Sequence, residues 1–118
     1  MTDAPAGSGS PPATSKRLLL LEKLTREKSP DPFHWYGLAM EYRSLQRTDE
    51  AIQTFTQLRA ANPEYTAMYL MCGQLLATSG RPEEARDWYD AGIAMARKKG
   101  ESHALSELEG ALAELGAL

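Results

Sequence analysis

The chain is poor in the groups that carry out chemistry. It holds one cysteine, Cys72, and two histidines, His34 and His103, in 118 residues. A single thiol excludes an internal disulfide framework and any multi-cysteine zinc site. The histidines lie far apart and neither has a partner four residues away, so a zinc pair on one helix face is not expected. Long aliphatic runs are also missing. The run Leu18-Leu19-Leu20-Leu21 stops after four residues at Glu22, whereas a signal peptide needs about seven to fifteen and a membrane span about twenty. A soluble, cytoplasmic protein without membrane contact is the expectation. Positive charge is not in excess either: 13 basic residues face 16 acidic ones, a net charge of −3. That balance argues against a nucleic-acid partner, whose binding domain is usually basic.

What is present is an ordinary globular composition, 42% hydrophobic and 25% charged, too apolar for wholesale disorder. Residues 1–14, rich in Pro, Ala, Gly and Ser, contain no aromatic and cannot bury enough surface to offset the entropy of ordering. They read as a disordered leader, and residues 15–118 as the folded domain. From Thr14 onwards the apolar residues follow a period of three and four rather than of two, which predicts helices and no strand.

The first helix spans about 15–28 with Leu18, Leu21 and Leu24 on one face and Ser15 as N-cap. Asp31 caps the second, which has Pro32 at its first position and Trp35, Leu38, Ala39 and Tyr42 inward to about Gln46. Thr48 caps the third, with Ala51, Ile52, Phe55 and Leu58 inward to about Ala61. The fourth runs from about Glu64 to Ser79 with Tyr69, Cys72, Gly73 and Leu76, and ends at Gly80. The fifth, from Pro82 to Lys99, uses Ala85, Tyr89, Gly92, Ile93 and Ala96 and stops at Gly100. The last, from Ser102 to Leu115, sets Ala104, Leu105, Leu108, Ala111, Leu112 and Leu115 in one stripe.

The middle four helices superimpose on themselves at a shift of 34 residues. Trp35 falls on Tyr69, Leu38 on Cys72, Ala39 on Gly73 and Tyr42 on Leu76; Ala51 falls on Ala85, Phe55 on Tyr89 and Leu58 on Gly92. The pattern Trp35-x2-Leu38-Ala39-x2-Tyr42, then Ala51-x3-Phe55, then Pro63, resembles a tetratricopeptide repeat. The second copy resembles it through Tyr69-x2-Cys72-Gly73, Gly80, Pro82 to Ala85 and Tyr89, and departs from it at Arg97, where the terminal proline would stand. The resemblance implies an all-α, short right-handed solenoid of two repeats, at 32–65 and 66–99. A flanking helix at 15–28 resembles the second half of an incomplete repeat, and one at 101–116 the first half of another. The C-terminal stretch around Ala96 to Leu108 also resembles short, stand-alone bacterial members. Small residues belong where paired helices approach, and each large one buried between them contributes roughly 1.5–3 kcal/mol.

The family resemblance further implies a non-catalytic protein-interaction module whose groove, lined by the first helix of each pair, takes a peptide or partner helix. Carried over by position, the groove residues are Phe33, Tyr36, Met40, Arg43 and Ser44, then Ala67, Leu70, Gln74, Ala77 and Thr78. Some members grip the C-terminal carboxylate of heat-shock chaperones with a lysine and an asparagine; Tyr36 and Met40 occupy those positions here, so that specificity is not implied. A hydrophobic segment with an acidic group for Arg43 fits better. The groove could instead be filled by the chain's own first or last helix.

The remaining polar clusters read as structural. Cys72 shares a face with Tyr69 and Leu76 and reads as a core thiol. His34 and His103 read as solvated side chains. Glu83, Glu84, Asp87 and Asp90 read as the polar face of a helix, and Arg97-Lys98-Lys99 as cations favoured by a helix C-terminus. Gly7-Ser8-Gly9-Ser10 has no following lysine and is no phosphate loop. No catalytic residue, metal site or cofactor is assigned. Charge is unevenly spread: residues 16–28 hold five basic and two acidic residues, and residues 101–118 hold four glutamates and no base. That asymmetry, with the leucine run, gives the alternative of a structural module that self-associates through its terminal helices. The expected state is a monomer or weak homo-oligomer with an unidentified protein partner.

Overall fold

The computed structural model describes residues 11–117. Six helices occur among the described residues, in the order α1 (Lys16–Arg26), α2 (Pro32–Ser44), α3 (Thr48–Ala61), α4 (Ala67–Thr78), α5 (Pro82–Lys99) and α6 (Ser102–Gly116). No strand occurs among the described residues. Each helix packs on its neighbours in sequence, and α4 also touches α6. The result is a single array of helices 55 × 37 × 19 Å across, with a radius of gyration of 15.9 Å. A rounded domain of about 100 residues has a radius near 13 Å, so the array is elongated as a solenoid is. Residues 1–10 of the expected leader lie outside the described residues; residues 11–14 are exposed and outside any helix.

Local chemistry sets the helix ends. The Ser15 hydroxyl accepts the Leu18 N–H at 2.9 Å, and the Asp31 carboxylate accepts the Phe33 N–H at 2.9 Å, each satisfying an orphan donor of the first turn. Thr48, expected as a cap, is instead the first residue of α3. Arg47 marks the boundary: its N–H returns to the Tyr42 carbonyl at 2.8 Å, and its own carbonyl accepts the Ala51 N–H. The expected start of α4 near Glu64 also moves, to Ala67. Residues 62–66 form a turn in which the Tyr65 N–H bonds the Asn62 carbonyl.

The turn between paired helices is built twice in the same way. Gln46 and Gly80 take positive φ angles of 59° and 76°. Arg47 and Arg81 follow, donating their N–H groups to the Tyr42 and Leu76 carbonyls at 2.8 and 2.9 Å, the return bond of a Schellman ending. Each arginine then clasps the glutamate three residues on, Arg47 Nε to Glu50 at 2.6 Å and Arg81 Nε to Glu84 at 2.7 Å.

The core follows most of the expected stripes, adds Thr54, Met68, Leu75 and Trp88, which were not expected inward, and leaves Ile52 half-buried. In α1 the buried residues are Leu18, Leu21 and Thr25, and Leu24 is only half-buried; Thr25 hides its hydroxyl by donating to the Leu21 carbonyl at 2.9 Å. In α6 only Leu108 and Leu115 are buried, while Ala104, Leu105, Ala111 and Leu112 are half-covered. Trp35 is half-buried although Tyr69, at the same place in the second repeat, is buried. Between α4 and α5 the packing is reciprocal: a Cβ on Gly73 would overlap the Tyr89 ring, and one on Gly92 would come within 2.5 Å of Tyr69 Cβ.

Candidate functional site

The groove helices α2, α4 and α6 present one concavity with two hollows. The smaller, about 170 Å³, is lined by Tyr36, Ala67, Leu70 and Met71, with Ala104 and Leu108 of α6 on the far side. The larger, about 500 Å³, is lined by Arg43, Gln74, Ala77 and Thr78, with Tyr89 of α5 and Ala111, Glu114 and Leu115 of α6. A volume of that size falls in the range of about 300–1,000 Å³ common to ligand sites. Of the sequence-derived groove residues, Tyr36, Ala67 and Leu70 thus meet in one hollow, and Arg43, Gln74, Ala77 and Thr78 in the other. Phe33, Met40 and Ser44 line neither. Phe33 stands 57% exposed at the start of α2, and Met40 packs half-buried against the core.

Aromatic packing holds Tyr36 in place. Its ring lies 6.3 Å from Phe55, edge-on, and 5.2 Å from Tyr65, tilted, geometries that suit the ring quadrupoles. Burial raises its phenol above the ordinary value, Tyr65 adds to that and Arg43 opposes it, so it acts in the groove as a neutral hydroxyl. Arg43 is half-buried and its Nη1 lies 3.3 Å from Met71 Sδ. No carboxylate lies within ion-pair distance of it among the described residues. On the opposite wall Glu114 of α6 faces the same hollow without an ion-pair partner among the described residues. The groove therefore offers an apolar floor with a cation on its α2 side and an anion on its α6 side.

Other candidate groups are accounted for structurally. Cys72 is buried, and burial pushes its thiol up to about 12 against the opposing pull of Arg59 and Arg81, far from a reactive thiolate. His34 is not the solvated side chain expected: its ring lies 2.7 Å from the Ser29 hydroxyl and is only 33% exposed. His103 is solvated, at 91%. Asp87 and Glu84 pair with Arg59 and Arg81. The basic end of α5 does more than meet a helix dipole, since Arg97 reaches Glu109 and Lys99 donates to the Glu64 carbonyl at 2.6 Å. The lining residues that sequence reasoning missed include Met71, Tyr89 and those of α6. Its two-residue offset from the 34-residue register conceals which of its faces turns to the groove.

Repeated helix pairs, a shared core and a concave face lined by first helices define an α-solenoid scaffold. The sequence profile described as tetratricopeptide repeat matches residues 36–101, more than half of the chain. The chain belongs to the tetratricopeptide repeat family. It is similar to the solution structure of a tetratricopeptide repeat domain protein from Salinibacter ruber, at 34% identity and a TM-score of 0.72, covering 75% of this chain and 90% of that one. The crystal structure of the Salinibacter ruber domain gives 34% identity and a TM-score of 0.69, covering 73% and 97%. A protein of Bordetella parapertussis shares the fold, with a TM-score of 0.75 at 20% identity over 88% of this chain and 90% of that one. No curated protein sequence matches the chain. The family is generally a non-catalytic scaffold for protein–protein interaction, and no described helix is long and apolar enough to cross a membrane.

Proposed function

We propose that the chain is a non-enzymatic adaptor that binds a peptide or partner helix along the α2/α4/α6 groove. The observation that carries this is Arg43, a half-buried guanidinium whose only side-chain contact of hydrogen-bond length among the described residues is a thioether. A cation held beside apolar surface gains most from a carboxylate that arrives with an apolar segment, because desolvation strengthens the charge-assisted bond. The partner segment places apolar side chains on Tyr36 and Leu70, an acidic group at Arg43 and a basic or amide group toward Glu114.

Panning a random peptide library against the full chain tests this. Enriched peptides should be apolar with an acidic residue, and the Tyr36→Ala/Leu70→Ala variant should weaken them by about tenfold or more, as truncation of interface anchors does. Arg43→Glu should reverse the acidic preference. Peptides enriched without an acidic residue, and bound unchanged by Arg43→Glu, would refute the assignment.

A second reading is favoured by Leu19 and Leu20, which stand 58% and 57% exposed on α1. In it the leucine face drives self-association through the terminal helices. Sedimentation separates the two: a Leu19→Lys/Leu20→Lys variant that lowers the mass and keeps peptide binding supports assembly.

A further inference from the structure

The slot between α3 and α5 is closed by a stack of Tyr69 and Trp88 of the second repeat with Arg59 of α3. Trp88 packs on Tyr69, ring centroids 5.9 Å apart at 52°. Arg59 lies across both rings, 5.5 Å from Tyr69 and 4.7 Å from Trp88, and is tied to Asp87 at 3.0 Å. Thirty-four residues earlier in the sequence the same places hold Trp35 for Tyr69, Thr54 for Trp88, Thr25 for Arg59 and Gln53 for Asp87. Both threonines turn back on their own helices: Thr54 donates to the Glu50 carbonyl at 2.8 Å and Thr25 to the Leu21 carbonyl at 2.9 Å. What remains between α1 and α3 is a hollow of about 410 Å³ with Trp35, Leu38 and Tyr42 as its floor. Arg26 lines it and has no carboxylate at ion-pair distance among the described residues.

We propose that this hollow is a second binding site, which takes a tryptophan-type aromatic side chain from a partner polypeptide. The arriving ring meets Trp35 as Trp88 meets Tyr69, and Arg26 is at hand to cover it as Arg59 covers Trp88. Tilted aromatic pairing and a guanidinium over the ring both favour a ring over an aliphatic group of equal size. The rim carries acceptors for an indole N–H: the Gln53 and Gln57 amides, and the Glu22 carboxylate, one oxygen of which already accepts the Tyr42 hydroxyl at 2.6 Å. Residues 1–10 contain no aromatic side chain and so do not supply the occupant. The site lies on the α1/α3 side of the solenoid, not in the α2/α4/α6 groove, and stands whether or not the groove binds a peptide.

The test uses N-acetyl-tryptophanamide as probe and N-acetyl-leucinamide as control, titrated into the isotope-labelled full chain. Expected are shifts of the Trp35 indole N–H and the Gln53 and Gln57 side-chain amides, saturating with a Kd on the order of 1 mM. The leucine amide should bind roughly three- to tenfold more weakly. A Thr25→Arg/Thr54→Trp variant, which rebuilds the second repeat's stack in place, should lose the response and melt at a higher temperature. If that variant does not fold, Trp35→Ala should remove the shifts at Gln53 and Gln57. No response at Trp35 at probe concentrations about tenfold above that Kd, an equal response to both amides, or a response undiminished in the filled or Trp35→Ala chain overturns the proposal.

Discussion

The two repeats share a backbone plan and differ in how far their rings sink. In the second, Gly92 leaves a notch that receives Tyr69, which is 2% exposed. In the first, Leu58 fills the same notch, and Trp35 stands off it beside a gap of about 250 Å³. Gly73 likewise admits Tyr89 where the first repeat has Ala39 against Phe55. One helix pair is locked by rings seated in glycine notches. The other keeps its largest side chain half at the surface. A repeat protein can therefore spend the same template on rigidity in one unit and on accessible aromatic surface in the next, because each unit's stability is largely set by its own contacts and its neighbours'.

The contrast can be broken most severely at the rings. Trp88→Ala removes a side chain that is 6% exposed and stacks on both Tyr69 and Arg59. It should cost about 3–5 kcal/mol, read as a drop in denaturant midpoint. Trp35→Ala should cost about half as much, since much of its surface is already in water. Equal losses would show that the first repeat is as tightly locked as the second. A milder break is Gly92→Ala, whose methyl meets Tyr69 Cβ at 2.5 Å and Leu108 at 3.0 Å. Overpacking of this kind costs about 1–3 kcal/mol, and thermal unfolding should show it, while Leu58→Ala at the equivalent place should enlarge the gap and destabilise by cavity formation instead.

The smallest effect at neutral pH concerns the tyrosines. Burial raises the phenol pKa of Tyr36, Tyr42, Tyr65, Tyr69 and Tyr89 above the ordinary phenol value of 10.0. A raised folded-state value means the folded chain holds its protons more tightly than the unfolded one. The stability it brings is fully present below pH 10.0 and is lost as pH rises through the folded values. Phenolate absorbance should therefore grow together with loss of helical circular dichroism, not ahead of it. The repeats differ here too: after burial, the Glu22 carboxylate raises Tyr42 further, whereas Arg59 opposes the rise at Tyr69. Glu22→Gln should bring Tyr42 ionisation to lower pH and leave Tyr69 in place.

Sequence reasoning recovers what repeats and misses what departs from the repeat. The caps at Ser15 and Asp31, the glycine stop at Gly100 and most of the buried faces of α4 and α5 follow from local chemistry and a 34-residue period. Trp88 escapes because its counterpart Thr54 is polar and its neighbours Asp87 and Asp90 mark the outer face of α5; only the stack with Arg59 and Tyr69 shows why it is buried. Thr25 escapes because a threonine in a leucine-rich helix reads as polar, until its hydroxyl is satisfied by its own backbone. Half of the groove was legible, through Tyr36, Arg43, Leu70 and Gln74. The α6 half was not, because residues on a terminal helix are placed by the insertion near Gly100 as much as by their own pattern.

The corner between paired helices has a consequence for how such a chain changes length. A left-handed residue, an arginine that returns its N–H to the helix just ended and a glutamate three residues on are all supplied within five consecutive positions, 46–50 and again 80–84. The return bond and the ion pair of each joint are made within its own helix pair, and only Arg47 adds a bond outside it, to the Ala13 carbonyl at 2.9 Å. A stretch copied or deleted from one corner to the next therefore carries a complete joint at its seam, and the only new surface to be reconciled is the face between helix pairs. Growth by duplication of whole units is built into the joint itself.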